Sequence, residues 1–356
     1  MGVFDNLLKD DESLFRNPTA LDYDFIPKKM QFREGEHEAI ASCIFPLLKE
    51  RNGRNIIITG APGIGKTLAC MKLQQELEEQ TDDVFFIYVN CWKHNTTFKI
   101  VLEICEELGY RLTHNKKTEE LFKVITGLIN KKAAVFVFDE VDKVEDFNFL
   151  YTLIEDIYRK AIIMISNERE WLISLDQRIK SRLTAEMLEF RPYGLREVSG
   201  ILRDRIELTF VPGVWDEEAS ELVFAKCFEL SDIRKGLHLL KEAGQCAENR
   251  SSRKVLPEHV KVAADKLDEF SVKDKEELED DSRLILGLVR ENSGLRIGEL
   301  FKLYQKNGGG GQYKTFQRRI KKLADGKFIS AEKITGGSEG TTTIIKHASE
   351  KKLTDF

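Results

Sequence analysis

The chain has 356 residues, 42% of them apolar and 32% charged, with a net charge of −5. That composition excludes a disordered chain, a collagen-like fibre and a disulfide-stapled mini-protein. At about 100–200 residues per domain, the length suggests two or three domains.

No stretch reaches the roughly 18–20 uninterrupted apolar residues that a membrane span requires. The acidic start, MGVFDNLLKDDESLF, offers no basic region followed by an apolar core, so no secretion signal is expected. Gly2 followed by Asn6 lacks the Ser or Thr that myristoylation favours at that position. Cys43, Cys70, Cys91, Cys105, Cys227 and Cys246 are scattered without CxxC or zinc-ligand spacing, so buried free thiols in a reducing compartment are expected. Charge is unevenly spread. Residues 281–356 hold fifteen Lys or Arg against eight Asp or Glu, which sets that segment at +7 and the remainder at −12. Such asymmetry points to a nucleic-acid-binding module on an acidic body.

Apolar runs predict strands at Asn55–Thr59, Val84–Asn90, Ala134–Asp139 and Ala161–Asn167, with a shorter one at Met187–Phe190. They are continuously apolar and separated by helical stretches, as central parallel strands in βαβ units are. The first runs into Gly60-Ala61-Pro62-Gly63-Ile64-Gly65-Lys66-Thr67, followed by a helix from Leu68. This is GxxxxGK[ST] in its strand–loop–helix context. Its glycines and backbone N–H groups suit a phosphate chain, Lys66 the β- and γ-phosphates, and the Thr67 hydroxyl Mg²⁺. The third run ends in Asp139 and Glu140. Asp139 suits a Mg²⁺ held through water, and Glu140 suits polarisation of an attacking water. Asn167, at the end of the fourth run, could position the same water. Arg178 and Arg182 lie four apart on one helix face, where either could reach a neighbouring subunit's nucleotide.

From Gly194 to Phe270 only helices are expected, around Leu195–Leu208, Asp216–Cys227, Ser231–Ala247 and Pro257–Phe270. Ser231 or Asp232 caps the third. Arg234 then sits in a first turn, where the helix dipole disfavours a cation, which suggests an anion nearby. The acidic stretch from Ser271 to Asp281 reads as an exposed helix end or linker. Beyond it come helices at Ser282–Glu291, Ile297–Gln305 and about Tyr313–Ala324, then a strand, a glycine-rich turn at Gly336–Gly340 and a second strand. Three helices and a hairpin make a winged helix. Phe316, Ile320 and Leu323 form the core stripe of the third helix. Lys314, Arg318 and Lys321 lie on another face with Arg319 and Lys322 beside them, placed to enter a DNA major groove.

Together these motifs make the AAA+ pattern, and their order resembles the archaeal initiator family of the Orc/Cdc type over nearly the whole chain. Leu14-Phe-Arg-Asn, Tyr23-Asp-Phe-Ile-Pro27 and Phe32-Arg-Glu34 resemble its adenine-approach segment, and Val89-Asn-Cys91 with Thr96-Thr-Phe-Lys99 its second strand and the start of its insertion. Phe190-Arg-Pro-Tyr193 resembles the lid entry, and Ser231-Asp-Ile-Arg-Lys-Gly-Leu237 the lid's arginine motif. The family would have Gly at Ser231 and a more basic chain overall. The resemblance implies an α/β AAA+ P-loop domain with a parallel sheet at 1–193, an all-α lid at 194–270, a linker at 271–281 and a winged helix at 282–356. It implies ATP or ADP with Mg²⁺, Ile26 and Pro27 against adenine, Tyr193 in the nucleotide site, Asn167 and Arg234 as sensors, and Arg178 or Arg182 as finger. It also implies duplex origin DNA, a replicative helicase, paralogues or self-association on DNA, no membrane, and a cytoplasmic, nucleoid-associated initiator with slow ATP hydrolysis. A DNA-binding transcription regulator with an ATP site and a signalling P-loop ATPase are the rival readings.

Overall fold

The computed structural model describes residues 13–276, 280–310, 312–325, 329–335 and 341–347. Two compact units divide between Ala264 and Asp265. In the first, helix α1 (Glu34–Ile44) precedes strand β1 (Ile56–Thr59), α2 (Lys66–Glu78), β2 (Val84–Asn90), α3 (Thr97–Glu107) and α4 (Thr118–Ile129). Then come β3 (Ala133–Asp139), α5 (Asn148–Asp156), β4 (Lys160–Ser166), the short α6 (Trp171–Ser174), α7 (Gln177–Leu183) and β5 (Glu186–Glu189). The sheet is parallel in the order β2-β3-β4-β1-β5.

The continuous apolar runs have the expected cause. Every residue of β1, β3 and β4 is buried. Alternate residues feed two cores. Ala134, Phe136 and Phe138 pack with α3, α4 and α5, while Ala133, Val135 and Val137 pack with α1 and α2. The fifth strand differs from its neighbours. It is an edge strand that leaves Glu186, Met187 and Glu189 exposed, and the buried Phe190 falls just beyond it. At the sheet's edge fewer neighbours cover either face, so consecutive positions reach solvent.

Four helices follow as expected: α8 (Leu195–Thr209), α9 (Glu217–Leu230), α10 (Ile233–Asn249) and α11 (Pro257–Glu276). Helix α11 continues into the acidic stretch at 271–281, and the division between the units falls within it. The N-terminal segment packs on these helices. Phe15 pairs with Phe210 as an isolated bridge, with ring centroids 4.7 Å apart. Asp232 is the cap of α10, because its carboxylate accepts from Arg234 N. Ser231 instead closes α9, with φ +52°. A left-handed residue costs a β-carbon roughly 1–2 kcal/mol, part of which glycine returns as entropy of the unfolded chain. Ser231→Gly is therefore expected to stabilise the protein by about 0.5–1 kcal/mol. A downward shift of the urea midpoint would mean instead that the weak Ser231 Oγ bond to Phe228 O, at 3.4 Å, outweighs the backbone strain.

The second unit contains α12 (Asp280–Glu291), β6 (Leu295–Arg296), α13 (Ile297–Lys306), α14 (Tyr313–Asp325), β7 (Ile329–Thr335) and β8 (Thr341–His347). Its sheet is antiparallel in the order β6-β8-β7. The short β6 has no signature in the sequence, since two residues carry no periodicity. Phe316, Ile320 and Leu323 are buried with Ile285, Val289, Leu300, Tyr304 and Ile345. Three helices and a three-stranded sheet give the winged-helix arrangement. The Gly336–Gly340 turn lies outside the described residues. All six cysteines are free, five of them buried. Among the described residues no helix is long and apolar enough to cross a membrane.

Candidate functional site

A cleft of about 390 Å³ opens at the C-terminal ends of the first unit's parallel strands, where such sheets place their ligands. One end is built by the loop after β1. Gly63 and Gly65 have φ of +74° and +91°, which lets the chain turn without a β-carbon in the way. Gly65 caps α2 with no side-chain bond to the helix, so its first N–H groups remain available to an anion. Pro62, Gly63, Gly65, Lys66, Thr67 and Leu68 line the cleft. Ile64 departs from the expected set, because its side chain is buried in the sheet's core. Gly60 and Ala61 are not on the cleft wall either. Their carbonyls accept from Lys66 Nζ, each at 2.8 Å.

Lys66 is 6% exposed and also donates to Asn167 Oδ1 at 2.8 Å. Burial, with the charge of Arg234 adding to it, lowers its pKa to about 8 against the opposing pull of Asp139. Thr67 Oγ1 donates to Asp139 Oδ2 at 2.6 Å, and Tyr88 Oη donates to the same oxygen at 3.0 Å. Burial first, then Asp139, pushes the Tyr88 hydroxyl well above the ordinary phenol range. Asp139 Oδ1 accepts from Glu140 N at 2.8 Å. Glu140 sits at φ +53°, a left-handed turn that carries its side chain away from the strand and into the cleft. Its carboxyl is raised above the usual range by burial, then by Asp139 and Asp142, with Lys143 and Arg234 opposing. The hydroxyl and carboxylate of Thr67 and Asp139 form a hard-oxygen set that fits Mg²⁺.

The other end is lined by Tyr23, Pro27, Met30, Gln31, Ile201 and Leu208. Pro27 is on the wall as expected, but Ile26 is not. Tyr193 lines the cleft beside Gly65. It is held there by Arg33, whose guanidinium lies 4.0 Å from the ring centroid. Arg33 is fully buried and donates to Glu36 Oε1 and Arg191 O. Arg234 enters from the lid, half exposed, with Nε 3.3 Å from Asp232 Oδ1.

Arg178 and Arg182 lie outside the cleft. Arg182 is tied to Glu155 and lies over the Tyr151 ring, whereas Arg178 is exposed and makes no side-chain bond among the described residues. In the second unit Lys314, Arg318 and Lys321 are exposed along α14, opposite the buried stripe. Arg319 does not join them. Its Nη1 donates to Tyr304 Oη at 2.9 Å, so it braces the helix against α13. The side chain of Lys322 lies outside those described.

The sequence motifs did not single out Tyr88, Arg33 or Asp232, which support the site, nor Met30, Gln31, Ile201 and Leu208 on its wall. A tyrosine two positions before a polar strand end was the one available signal, since Tyr88 shares a strand face with Asn90.

Residues 49–167 match a family described as "AAA domain", and residues 199–265 one described as "Cdc6 AAA+ ATPase-type lid domain". The ORC1-type DNA replication protein 2 of Methanothermobacter thermautotrophicus is 28% identical over 357 residues, covering 96% of this chain and 93% of that protein. The ORC1-type DNA replication protein 1 of Archaeoglobus fulgidus is also 28% identical, covering 99% and 92%. Among solved structures, the Aeropyrum pernix ORC1 protein in complex with DNA has a TM-score of 0.72 at 23% identity, covering 96% of this chain and 95% of that one. The Aeropyrum pernix ORC2 protein with ADPNP and ADP has a TM-score of 0.67 at 20% identity, covering 94% of each chain. The chain thus carries a match to the AAA domain in its sheet and to the Cdc6-type lid domain in its helices, and over nearly its full length it is similar to ORC1-type DNA replication proteins.

Proposed function

We propose that this chain is an ATP-dependent DNA replication initiator that binds duplex DNA at origins and helps recruit or load a replicative helicase. The observation that carries this reading is the continuity of the likeness. The Methanothermobacter relative matches 96% of the chain, so it covers both the cleft and the winged helix. That relative is named a DNA replication protein, and the Aeropyrum pernix ORC1 protein was solved on DNA.

In this reading the cleft takes ATP or ADP, with phosphates on the α2 N-terminus and Lys66 and the base toward Pro27 and Met30. Thr67 and Asp139 would hold Mg²⁺, which supplies charge neutralisation on the phosphates when bound. Glu140 orients and polarises water. Asn167 now accepts from Lys66 and is placed to turn to that water, and Arg234 faces the last phosphate. Arg178 is free to reach a neighbouring copy or paralogue, which favours it over the ion-paired Arg182 as the finger. Hydrolysis then acts as a slow conformational switch in a cytoplasmic, nucleoid-associated protein.

Recovery and sequencing of bound genomic fragments tests the role. An initiator should protect one or a few repeat-bearing intergenic loci, and a transcription regulator many promoters. At roughly 0.15 M salt, screening acts over about 8 Å, so the local basic patch can dominate the −12 body. Lys321→Ala is expected to weaken binding to all duplexes and to cut the salt slope by about one. Arg318→Ala is expected to cost about 1–3 kcal/mol at one base position, since a guanidinium can read a guanine edge with two bonds. Fluorescence anisotropy across a salt series separates the two. If neither variant moves affinity or slope, α14 serves protein contacts instead.

A further inference from the structure

The carboxylate of Asp232 sits between the lid arginine and the P-loop. Its Oδ1 accepts from Arg234 N at 2.9 Å and from Arg234 Nε at 3.3 Å, and its Oδ2 accepts from Nη2 at 3.4 Å. The same carboxylate lies against Gly63. A β-carbon built there would stand 1.9 Å from Oδ1 and 2.3 Å from Cγ. Beside it, Ile233 N donates to Gly63 O at 3.3 Å. The start of α10 is thus seated on the phosphate loop, and Gly63 lacks a side chain partly because Asp232 occupies that space. Arg234 is near enough for its charge to be felt at both Lys66 and Glu140.

We propose that Asp232 is a positioning residue that holds Arg234 in reserve, so that the third phosphate of a bound triphosphate must take Arg234 from Asp232. This rests on the reading of the cleft as a nucleoside triphosphate site. Arg234 is 50% exposed, so its pair with Asp232 is screened and weak. A terminal phosphate carries more charge and offers two oxygens to one guanidinium, so it can win the exchange. A diphosphate lacks that group and leaves Arg234 on Asp232. The lid helix therefore starts in different company in the two nucleotide states while Asp232 keeps its contact with Gly63. A ligand shifts such an equilibrium only by its differential affinity, and here that difference is one phosphate.

Asp232→Asn separates this role from a structural one. Asparagine caps a helix as well as aspartate and keeps the fit on Gly63, but it removes the charge that holds Arg234. Titration of the full chain with fluorescent ATP and ADP analogues should show the ATP-to-ADP affinity ratio rising about two- to fivefold, the size of a half-exposed ion pair. In an Arg234→Ala background the same change should move both nucleotides alike. Asp232→Ser, also a good cap without charge, repeats the test if the asparagine variant folds poorly. An unchanged ratio in both variants, or a selective change that survives Arg234→Ala, overturns the proposal. If the parent protein binds neither nucleotide, the reading of the cleft fails first and takes the proposal with it.

Discussion

Replacing Lys66 by methionine is expected to abolish useful nucleotide binding and, at the same time, to stabilise the nucleotide-free protein. The first effect follows from losing a desolvated cation opposite phosphate, which costs on the order of 10²- to 10³-fold in affinity. The second follows from burial. Lys66 as a residue is 6% exposed and its pKa falls from 10.5 to about 8, although two carbonyls and Asn167 Oδ1 accept from its ammonium. A lysine whose pKa is lower folded than unfolded binds a proton less readily in the native state. Stability then rises with pH between about 8 and 10.5, because the unfolded chain carries more protons there. Below that window burial of the full charge opposes folding by about 1–3 kcal/mol. Methionine keeps most of the volume and removes the charge. Denaturant unfolding should show Lys66→Met more stable than the parent at pH 7, with the gap closing as the pH approaches 10.5, the ordinary lysine value. A less stable variant at neutral pH would mean that the three acceptors left behind outweigh the buried charge. Saturating nucleotide should reverse the order, since only the parent gains from binding.

Much of this was legible in the sequence for physical reasons. Strands β1 to β4 fall within a residue of the apolar runs that predict them, because a strand covered on both faces can hold little else. The loop from Gly60 to Thr67 and the Asp139–Glu140 pair are local in sequence, so their spacing carries their geometry. What could not be read depends on residues that meet only in the fold. Arg33 contacts Arg191 O across 158 positions, and nothing near Phe32 or Glu34 marks it as the support of Tyr193. Asp232 reads as an ordinary cap, and its seat on Gly63 exists only once the lid closes on the loop. Arg319 is next to Arg318 and looks equally basic. One residue's rotation of about 100° moves it toward Tyr304 and takes it off the outer face. Ser231 shows the converse. The family resemblance places Gly there, and the left-handed φ of +52° gives the reason.

Glu140→Gln should leave nucleotide binding intact and reduce hydrolysis by about 10²- to 10⁴-fold, the usual contribution of a positioned general base. Binding survives because Glu140 is not among the groups that bond Lys66 or Thr67, and glutamine keeps its shape. Thr67 stays on Asp139 Oδ2, and residue 140 keeps its backbone bond to Asp139 Oδ1. Only the negative charge that draws a proton from water is lost. The same carboxyl predicts a pH profile. Burial and the neighbouring Asp139 and Asp142 raise its pKa above 4.5, so turnover should fall as pH drops through that raised value. Glu140→Asp should retain a weakened limb, and Glu140→Gln should lose it together with the rate. The left-handed φ of +53° adds a second handle. Glu140→Gly would relax the backbone yet remove the carboxylate, so it should match Glu140→Gln in turnover while folding at least as well. Single-turnover hydrolysis across a pH series from acid to mildly alkaline, with binding measured on the same samples, reads all three. A Glu140→Gln variant that hydrolyses at the parent rate would remove Glu140 from the chemistry and leave water activation to another group at the ends of β3 and β4.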